Sequence, residues 1–520
     1  MSEWKPKHNH WAIAFTVTLA TFMEVLDTSI ANVSLPHIAG NLSEGMDAAT
    51  WVLTSYLVSN AVVLPLSGWL STIFGRKRFY MTCVALFTVS SFLCGLAPNL
   101  PLLIVCRVLQ GAGGGGLAPS EQAILADTFP PKSRGMAFAI YGMAVVLAPA
   151  IGPTLGGFIT DNFSWRWIFF INVPVGIVSL LLTHRLVEDP PWLRREARKP
   201  GARGDWLGVA LIVIGLGALQ YVLDKGERDD WFGSPVIIFF SVTSLSALVA
   251  MVVWEWRHPD PIIDLRLLKR RSFAVSFCMM FVLGVVLFGT TVLLPQYVQT
   301  LLGYSAQQAG MVLSPGGLVV ILLLPFVGRL LGKVDPRWLI GFGFLITATS
   351  LHHMTTLYLG ISFTTAMLMR MYQSAGFAFL FVPINTVSYV GVPREKNNQV
   401  SAMTNLARNL GGSCGISLAT TLLARRAQHH QAQLVAHTTS YDASFRAGLA
   451  QLTALLQTRG LSAAAATRQA TARIYGLVLA QSSALAYVDT LELLAILAAV
   501  MIPLALLLKR PKPGAPVAAH

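Results

Sequence analysis

Apolar runs of roughly 20 residues follow one another along almost the whole chain, and they constrain the fold more than any other feature. A helix needs about 20 consecutive apolar residues to cross the hydrocarbon core, and only helices or closed barrels satisfy their backbone groups there. We place fourteen such runs at 11–34, 50–72, 80–98, 101–125, 136–160, 166–185, 206–223, 234–254, 273–297, 308–331, 338–357, 363–389, 400–423 and 488–508. The composition agrees: 54% of the 520 residues are hydrophobic and 12% charged, about half the charge of a soluble domain. A soluble enzyme, a disulfide scaffold and a disordered tail are excluded. The first run, 11–34, reads as a span that stays in the membrane rather than as a cleaved leader.

The net charge of +14 could suggest nucleic acid, but its placement argues for membrane anchoring. Alternate short connections carry 26 Lys and Arg, including Arg76–Arg78, Arg185–Arg203, Arg257–Arg271 and Lys509–Lys512. The other short connections hold Lys225 and Arg228, with Arg166 at a boundary. This asymmetry predicts both termini in the cytoplasm. The five cysteines all lie in apolar runs without ligand spacing, so they read as small buried apolar residues.

Two segments repeat. Arg107-Val-Leu-Gln110-Gly-Ala112-Gly113 and Arg370-Met-Tyr-Gln373-Ser-Ala375-Gly376 share the pattern R-x-x-Q-x-A-G, each near the start of an apolar run. Gly152–Gly157 is loosely echoed by Gly411, Gly412 and Gly415. Intramembrane arginines are rare enough that two in matching contexts imply a duplication. We therefore expect an all-α membrane protein in three parts. Residues 1–190 form a six-helix half, 191–270 an inserted pair of helices with flanking cytoplasmic loops, and 271–520 a second six-helix half. The last part includes a long periplasmic loop at 424–487. Paired halves are the architecture of alternating-access transporters, whose substrate site lies at the repeat interface. The loop is Ala/Gln/Leu-rich and free of Pro, with short amphipathic helices expected near 443–457 and 462–481. It reads either as a cap over the mouth or as a docking surface.

Motifs then point to a family. Gly68-Trp-Leu70 through Gly75-Arg76-Lys77-Arg78 resembles the loop-2/3 signature of the major facilitator superfamily, with Thr72 where the family usually has Asp. Ala148-Pro149 through Gly152-Pro153 and Gly156-Gly157 resembles its antiporter signature, or a simple packing kink. Leu26-Asp27-Thr28-Ser29 through Leu35-Pro36 and Trp165-Arg166-Trp167 through Asn172-Val173-Pro174 resemble the fourteen-span drug:proton antiporters. Leu223-Asp224-Lys225-Gly226 resembles their EmrB-type branch. The resemblance covers essentially the whole chain. It implies the major facilitator fold with fourteen transmembrane helices and proton-driven export of small hydrophobic or cationic drugs across a bacterial inner membrane. It also implies a periplasmic EmrA-type adaptor and an outer-membrane channel.

The intramembrane ionisable residues are functional candidates. For proton coupling they are Asp27, Glu24 and Arg107, two carboxyls three residues apart with a cation that could hold one of them. A structural ion pair is the alternative. Between 273 and 423 the acids are Asp335 and Glu395, both in connections, so coupling falls to the first half. Substrate-cavity candidates are Glu24, Asn32, Glu121, Gln110, Arg370, Gln373 and Asn385. Gating and packing candidates are Gly68, Gly75, Arg76, Pro149, Gly152, Pro153, Gly156 and Gly157. Arg370 and Arg408 read as helix-packing anchors or as groups that draw anions inward. His352-His353 reads as an interfacial pair. No phosphate-binding loop, metal constellation or nucleophile–base pair emerges, so we expect no cofactor beyond the proton gradient and no enzyme. The alternatives to drug export are a dedicated exporter of one metabolite, such as a fatty acid or siderophore, and a non-transporting scaffold or sensor.

Overall fold

The computed structural model describes residues 6–130, 133–191, 205–259 and 261–508. The expected anchors at Lys132, Arg194–Arg203 and Lys509–Lys512 lie outside the described residues. Among the described residues, fourteen long helical segments make up the bundle: α1 (His10–Asn41), α2 (Trp51–Phe74), α3 (Arg76–Leu96), α4 (Leu100–Thr128), α5 (Arg134–Asn162), α6 (Trp167–Leu186), α7 (Trp206–Lys225), α8 (Pro235–Arg257), α9 (Arg271–Thr300), α10 (Ala306–Leu330), α11 (Pro336–Met354), α12 (Phe363–Ser388), α13 (Asn397–Val435) and α14 (Ala463–Ala505). There is no strand among the described residues.

Eleven of these are long and apolar enough to cross a membrane, and α5, bent by 42° between Pro149 and Ile151, makes twelve. The other two, α11 and α13, are more polar but pack in the same bundle, so the architecture is compatible with the expected fourteen. Local signals set the helix starts. Asn99, Asp205, Ser305, Asp335, Ser362 and Ser462 each accept a backbone N–H of the first turn, and Gln308 closes a capping box with Ser305.

The packing repeats. In the first six helices α1 packs on α5 and α6, α2 on α4, α3 on α4 and α6. In the last six, α9 packs on α13 and α14, α10 on α12, α11 on α12 and α14, the same scheme. The two sets meet through α5 with α10 and through α2 with α13, an exchange of equivalent helices. The inserted α7 lies on α2 and also touches α13, while α8 packs chiefly on α7.

Glycines explain the closest approaches. A Cβ on Gly156 would sit 3.0 Å from Ile30 Cγ2 of α1, and one on Gly152 would collide with Ser29 Oγ. In the second set, Cβ atoms on Gly411 and Gly415 would collide with the backbone oxygens of Phe281 and Val285 on α9. The faint sequence echo is thus the same helix seam built twice. Gly157 departs from expectation: nothing lies within 4 Å of its Cβ position, because it faces away from α1. Gly156→Leu is therefore expected to wedge α1 from α5 and inactivate transport, since overpacking costs about 1–3 kcal/mol at one seam. Gly157→Leu should be tolerated. Efflux per folded molecule, scored beside monodispersity on size exclusion, separates the two.

Two sequence expectations need correction. The connection at 424–487 holds the helix expected near 443–457, but its flanks are helical as well. α13 runs on to Val435, a short helix spans Ala443–Thr458, and the second expected helix merges with the last span into the 43 residues of α14. Ala-rich sequence without Pro gives no stop signal, so the helices propagate past the apolar stretch. Cys278 is exposed on the bundle surface and Cys414 partly so, whereas Cys83, Cys94 and Cys106 are buried as expected. An apolar face turned to lipid leaves a small side chain as exposed as any other.

Candidate functional site

A cavity of ≈420 Å³ lies between the two helix sets. Apolar side chains dominate its wall, among them Leu53, Tyr56, Val145, Leu287, Phe288, Leu313 and Phe377. Its charged groups are Glu24, Arg107, Asp224, Glu227, Arg370 and Arg408, and neutral polar groups, among them Asn32, Asn60, Gln220, Thr291 and Asn409, are interspersed with the apolar ones. The lining starts near Leu64 and Asn409 in mid-bundle. It ends at Leu53, Glu227 and Thr420, away from the basic end that carries Arg76.

In the wall of the first set, Arg107 enters a fully buried ion pair with Asp27 behind it. Arg107 Nη1 donates to Asp27 Oδ2 at 2.6 Å, with both side chains at most 1% exposed. Gln110 Nε2 donates to Asp27 Oδ1 at 2.9 Å, and Asn172 Nδ2 donates to the same oxygen at 2.7 Å. Arg107 is held in turn by Val52 O at 3.0 Å and Gln110 Oε1 at 2.8 Å, and its guanidinium lies 4.3 Å from the Tyr56 ring centre. Glu24, one helical turn before Asp27, turns the other way into the cavity, where Asn60 Nδ2 donates to it at 3.1 Å and Tyr56 Oη at 3.4 Å. The two carboxyls expected on one face thus divide: Asp27 inside the helix set, Glu24 on the cavity wall.

The repeated motif rebuilds the same frame in the second set. Arg370 Nη1 donates to Gln373 Oε1 at 2.7 Å, as Arg107 does to Gln110. Where the first set presents Asp27, the second presents hydroxyls: Arg370 donates to Thr290 Oγ1 at 3.1 Å and to Thr291 Oγ1 at 3.2 Å. Arg408 donates to Tyr141 Oη at 2.9 Å, and Asn405 Nδ2 donates to Gln122 Oε1 at 2.8 Å, so both tie the sets together beneath the cavity.

Four expected cavity residues do not line it. Gln110 and Gln373 are consumed by their arginines. Glu121 is wholly buried behind α1, where Thr18 Oγ1 donates to it at 2.6 Å. Asn385 is buried and donates to the Phe381 carbonyl at 2.8 Å. Each is a polar residue on a span, which its position in sequence could not separate from a cavity-facing one. Glu24, Asn32 and Arg370 do line the cavity. Sequence reasoning missed Asn60, and it missed the sites of Asn172, Asp224 and Glu227. Asn172 and Asp224 stand inside the quoted motifs, and that was the available signal.

At the basic end the sets are locked. Arg76, 2% exposed, pairs with Asp127 at 2.5 Å and donates to Asn398 Oδ1 at 2.7 Å. Asn397 Nδ2 donates to the other Asp127 oxygen at 2.6 Å. Thr72 stands where the resembled motif has Asp and only bonds its own helix, at Trp69 O. Gly75 takes φ +83° between α2 and α3, a left-handed turn that suits glycine. A Cβ on Gly68 would lie 3.1 Å from Asn398 O, so its bareness admits α13.

The sequence model of the Major Facilitator Superfamily matches residues 17–416. The chain belongs to the major facilitator superfamily. Its fold is accordingly the all-helical major facilitator fold of a multi-pass membrane transporter. EmrB of Escherichia coli K12, a multidrug export protein, is 38% identical over 462 residues, covering 88% of this chain and 89% of EmrB. FarB of Neisseria gonorrhoeae, a fatty acid resistance protein, is 39% identical over 443 residues, covering 85% and 86%. Among solved structures, the human organic anion transporter MFSD10 aligns with a TM-score of 0.58 at 14% identity, covering 95% of this chain and all of that one. The proton:xylose symporter XylE gives 0.58 at 16% identity, covering 95% and 96%. These two support the superfamily fold alone.

Proposed function

We propose that this superfamily member is a proton-coupled antiporter that exports hydrophobic and amphiphilic toxic compounds across the bacterial inner membrane by alternating access. The observation that carries this reading is the apolar cavity between two equivalent helix sets, with Glu24 and Arg107 on its wall and Asp27, paired with Arg107, just behind it. Relatives named for multidrug export support the class of cargo. The basic clusters support a cytoplasmic Arg76 end, with both termini on the same side. Residues 1–190 and 271–520 then act as the rocking halves and 191–270 as the insert.

Proton uptake on Asp27 removes the charge that holds Arg107, so protonation and the α1–α4 bond are alternatives. Glu24, facing the cavity, is the acid that substrate and water meet first. A growth panel in a pump-deficient host tests the reading: protection from several unrelated compounds supports multidrug export, and no protection from any overturns it. The second reading, a dedicated exporter of one metabolite, is favoured by the fatty acid resistance relative. Protection from a single compound class would decide for it.

We assign the helical arm at the far end to docking of an EmrA-type periplasmic adaptor that leads to an outer-membrane channel. At 1.5 Å per residue α14 runs roughly 65 Å, about twice the hydrocarbon thickness. The arm is braced where it leaves the bundle: His430 and Arg426 of α13 contact Asp489 of α14 at 2.9 and 3.5 Å. Replacing 436–462 by a short Gly/Ser link is expected to leave proteoliposome transport within about twofold and to abolish whole-cell resistance. Equal losses in both assays would make the arm part of the transport core.

A further inference from the structure

The two halves carry the same arginine–glutamine frame, and only one of them carries its counter-charge. Arg107 is neutralised by Asp27, whereas Arg370 meets only neutral oxygens, from Thr290, Thr291 and Gln373. Among the described residues no hydrogen bond or ion pair joins a carboxylate to Arg370, although Glu24, Asp224 and Glu227 line the same cavity. Its side chain is 7% exposed, and its Nε finds no acceptor. An unpaired guanidinium in a low-dielectric wall is costly to keep unless an anion meets it. Thr291, Arg370 and Phe377 all line the cavity, with Leu287, Phe288 and Leu313 beside them. Gly316 leaves the room the arginine stem needs, since a Cβ there would sit 3.2 Å from Arg370 Cγ.

We infer that Arg370 is the head-group site for an organic anion with an apolar tail, whose acid group makes in the second half the ion pair that Asp27 makes in the first. The planar guanidinium takes a carboxylate or sulfonate through its fork, the head group replacing Thr291 Oγ1 as an acceptor while that hydroxyl keeps its own donated bond to Leu287 O at 2.7 Å. The tail lies on Leu287, Phe288 and Phe377. This inference rests on the export reading and deepens it by naming a substrate class and the residue that selects it.

The test uses two probes with one tail and permanent opposite charges, decanesulfonate and decyltrimethylammonium, titrated into the full chain in nanodiscs by calorimetry. Wild type is expected to bind the sulfonate roughly tenfold more tightly or better, the range of one charge-assisted hydrogen bond. Arg370→Gln should remove that preference and leave the ammonium within about twofold, and Arg370→Lys should restore part of it. Thr290→Asp replaces a neutral acceptor of the arginine by a carboxylate, supplying an internal counter-ion, and should abolish sulfonate binding even where Arg370→Gln folds poorly. A wild-type chain with no sulfonate preference, or a preference that survives Thr290→Asp, overturns the inference. The growth panel stays independent: broad protection without head-group selectivity would leave export standing and remove only this site.

Discussion

Asp27→Asn is expected to abolish gradient-driven export in proteoliposomes, by a hundredfold or more, while protein still reaches the membrane. The amide keeps the shape of the carboxylate and its contacts with Gln110 and Asn172, but leaves Arg107 buried without a counter-charge. Breaking a buried pair from one side costs on the order of 3–5 kcal/mol, so the single variant should also melt earlier. Stability and coupling separate in the double variant Asp27→Asn with Arg107→Gln. With both charges gone, the melting temperature should return toward wild type while export stays absent. Recovery of export in the double variant would reduce the pair to a structural brace. Export by the single variant would move coupling to Glu24.

Arg76→Ala is expected to open the basic end. Arg76 and Asp127 belong to the first half and Asn397 and Asn398 to the second, so this cluster closes only when the halves meet there. Each hydrogen bond to a charged group contributes about 1.5–3 kcal/mol, enough to move a two-state equilibrium by roughly ten- to a hundredfold. Ala402, buried in that seam against Gly68, is the reporter. In a background without the five native cysteines, Ala402→Cys should react with a water-soluble thiol reagent at least tenfold faster once Arg76 is removed. An unchanged labelling rate would show that the gate is held elsewhere.

The fold was largely legible from sequence because its determinants are periodic or local. The apolar runs place the spans, Ser and Asp caps mark their starts, and two copies of R-x-x-Q reveal the duplication. The glycine seams were legible as motifs but not residue by residue, since Gly156 and Gly157 differ only in which way one helix is turned. The site was half legible. Glu24, Asp27, Arg107 and Arg370 stand out because charge in a span is rare. What sequence could not decide was direction: one turn of α1 separates Glu24 in the cavity from Asp27 behind it. Polar but uncharged partners such as Asn60 and Asn172 escape for a further reason. Asn occurs on spans as a cap, a packing group or a ligand alike, and only its neighbours distinguish these. The long connection before the last span was misjudged because the apolar stretch ends well before the helix does.

The position of α7 has a kinematic consequence. It bridges the α2–α13 seam, and its bonds to the two sides differ in kind. Toward α2 it offers charge: Asp224 accepts from Thr54, and Lys225 Nζ donates to Thr50 Oγ1 at 2.7 Å over the face of Trp51. Toward α13 it offers neutral bonds, Ser413 to Gln220 at 2.8 Å and the Trp231 indole just past its end to Thr421 at 3.2 Å. A body spanning two parts that rotate apart must let go of one of them, and the weaker clasp is the one that slips. Under the proposed alternating access, the inserted pair is expected to ride with the first half and to slide over α13. In that motion it would serve as a weatherstrip, covering the α2–α13 joint against lipid while leaving the halves free to turn.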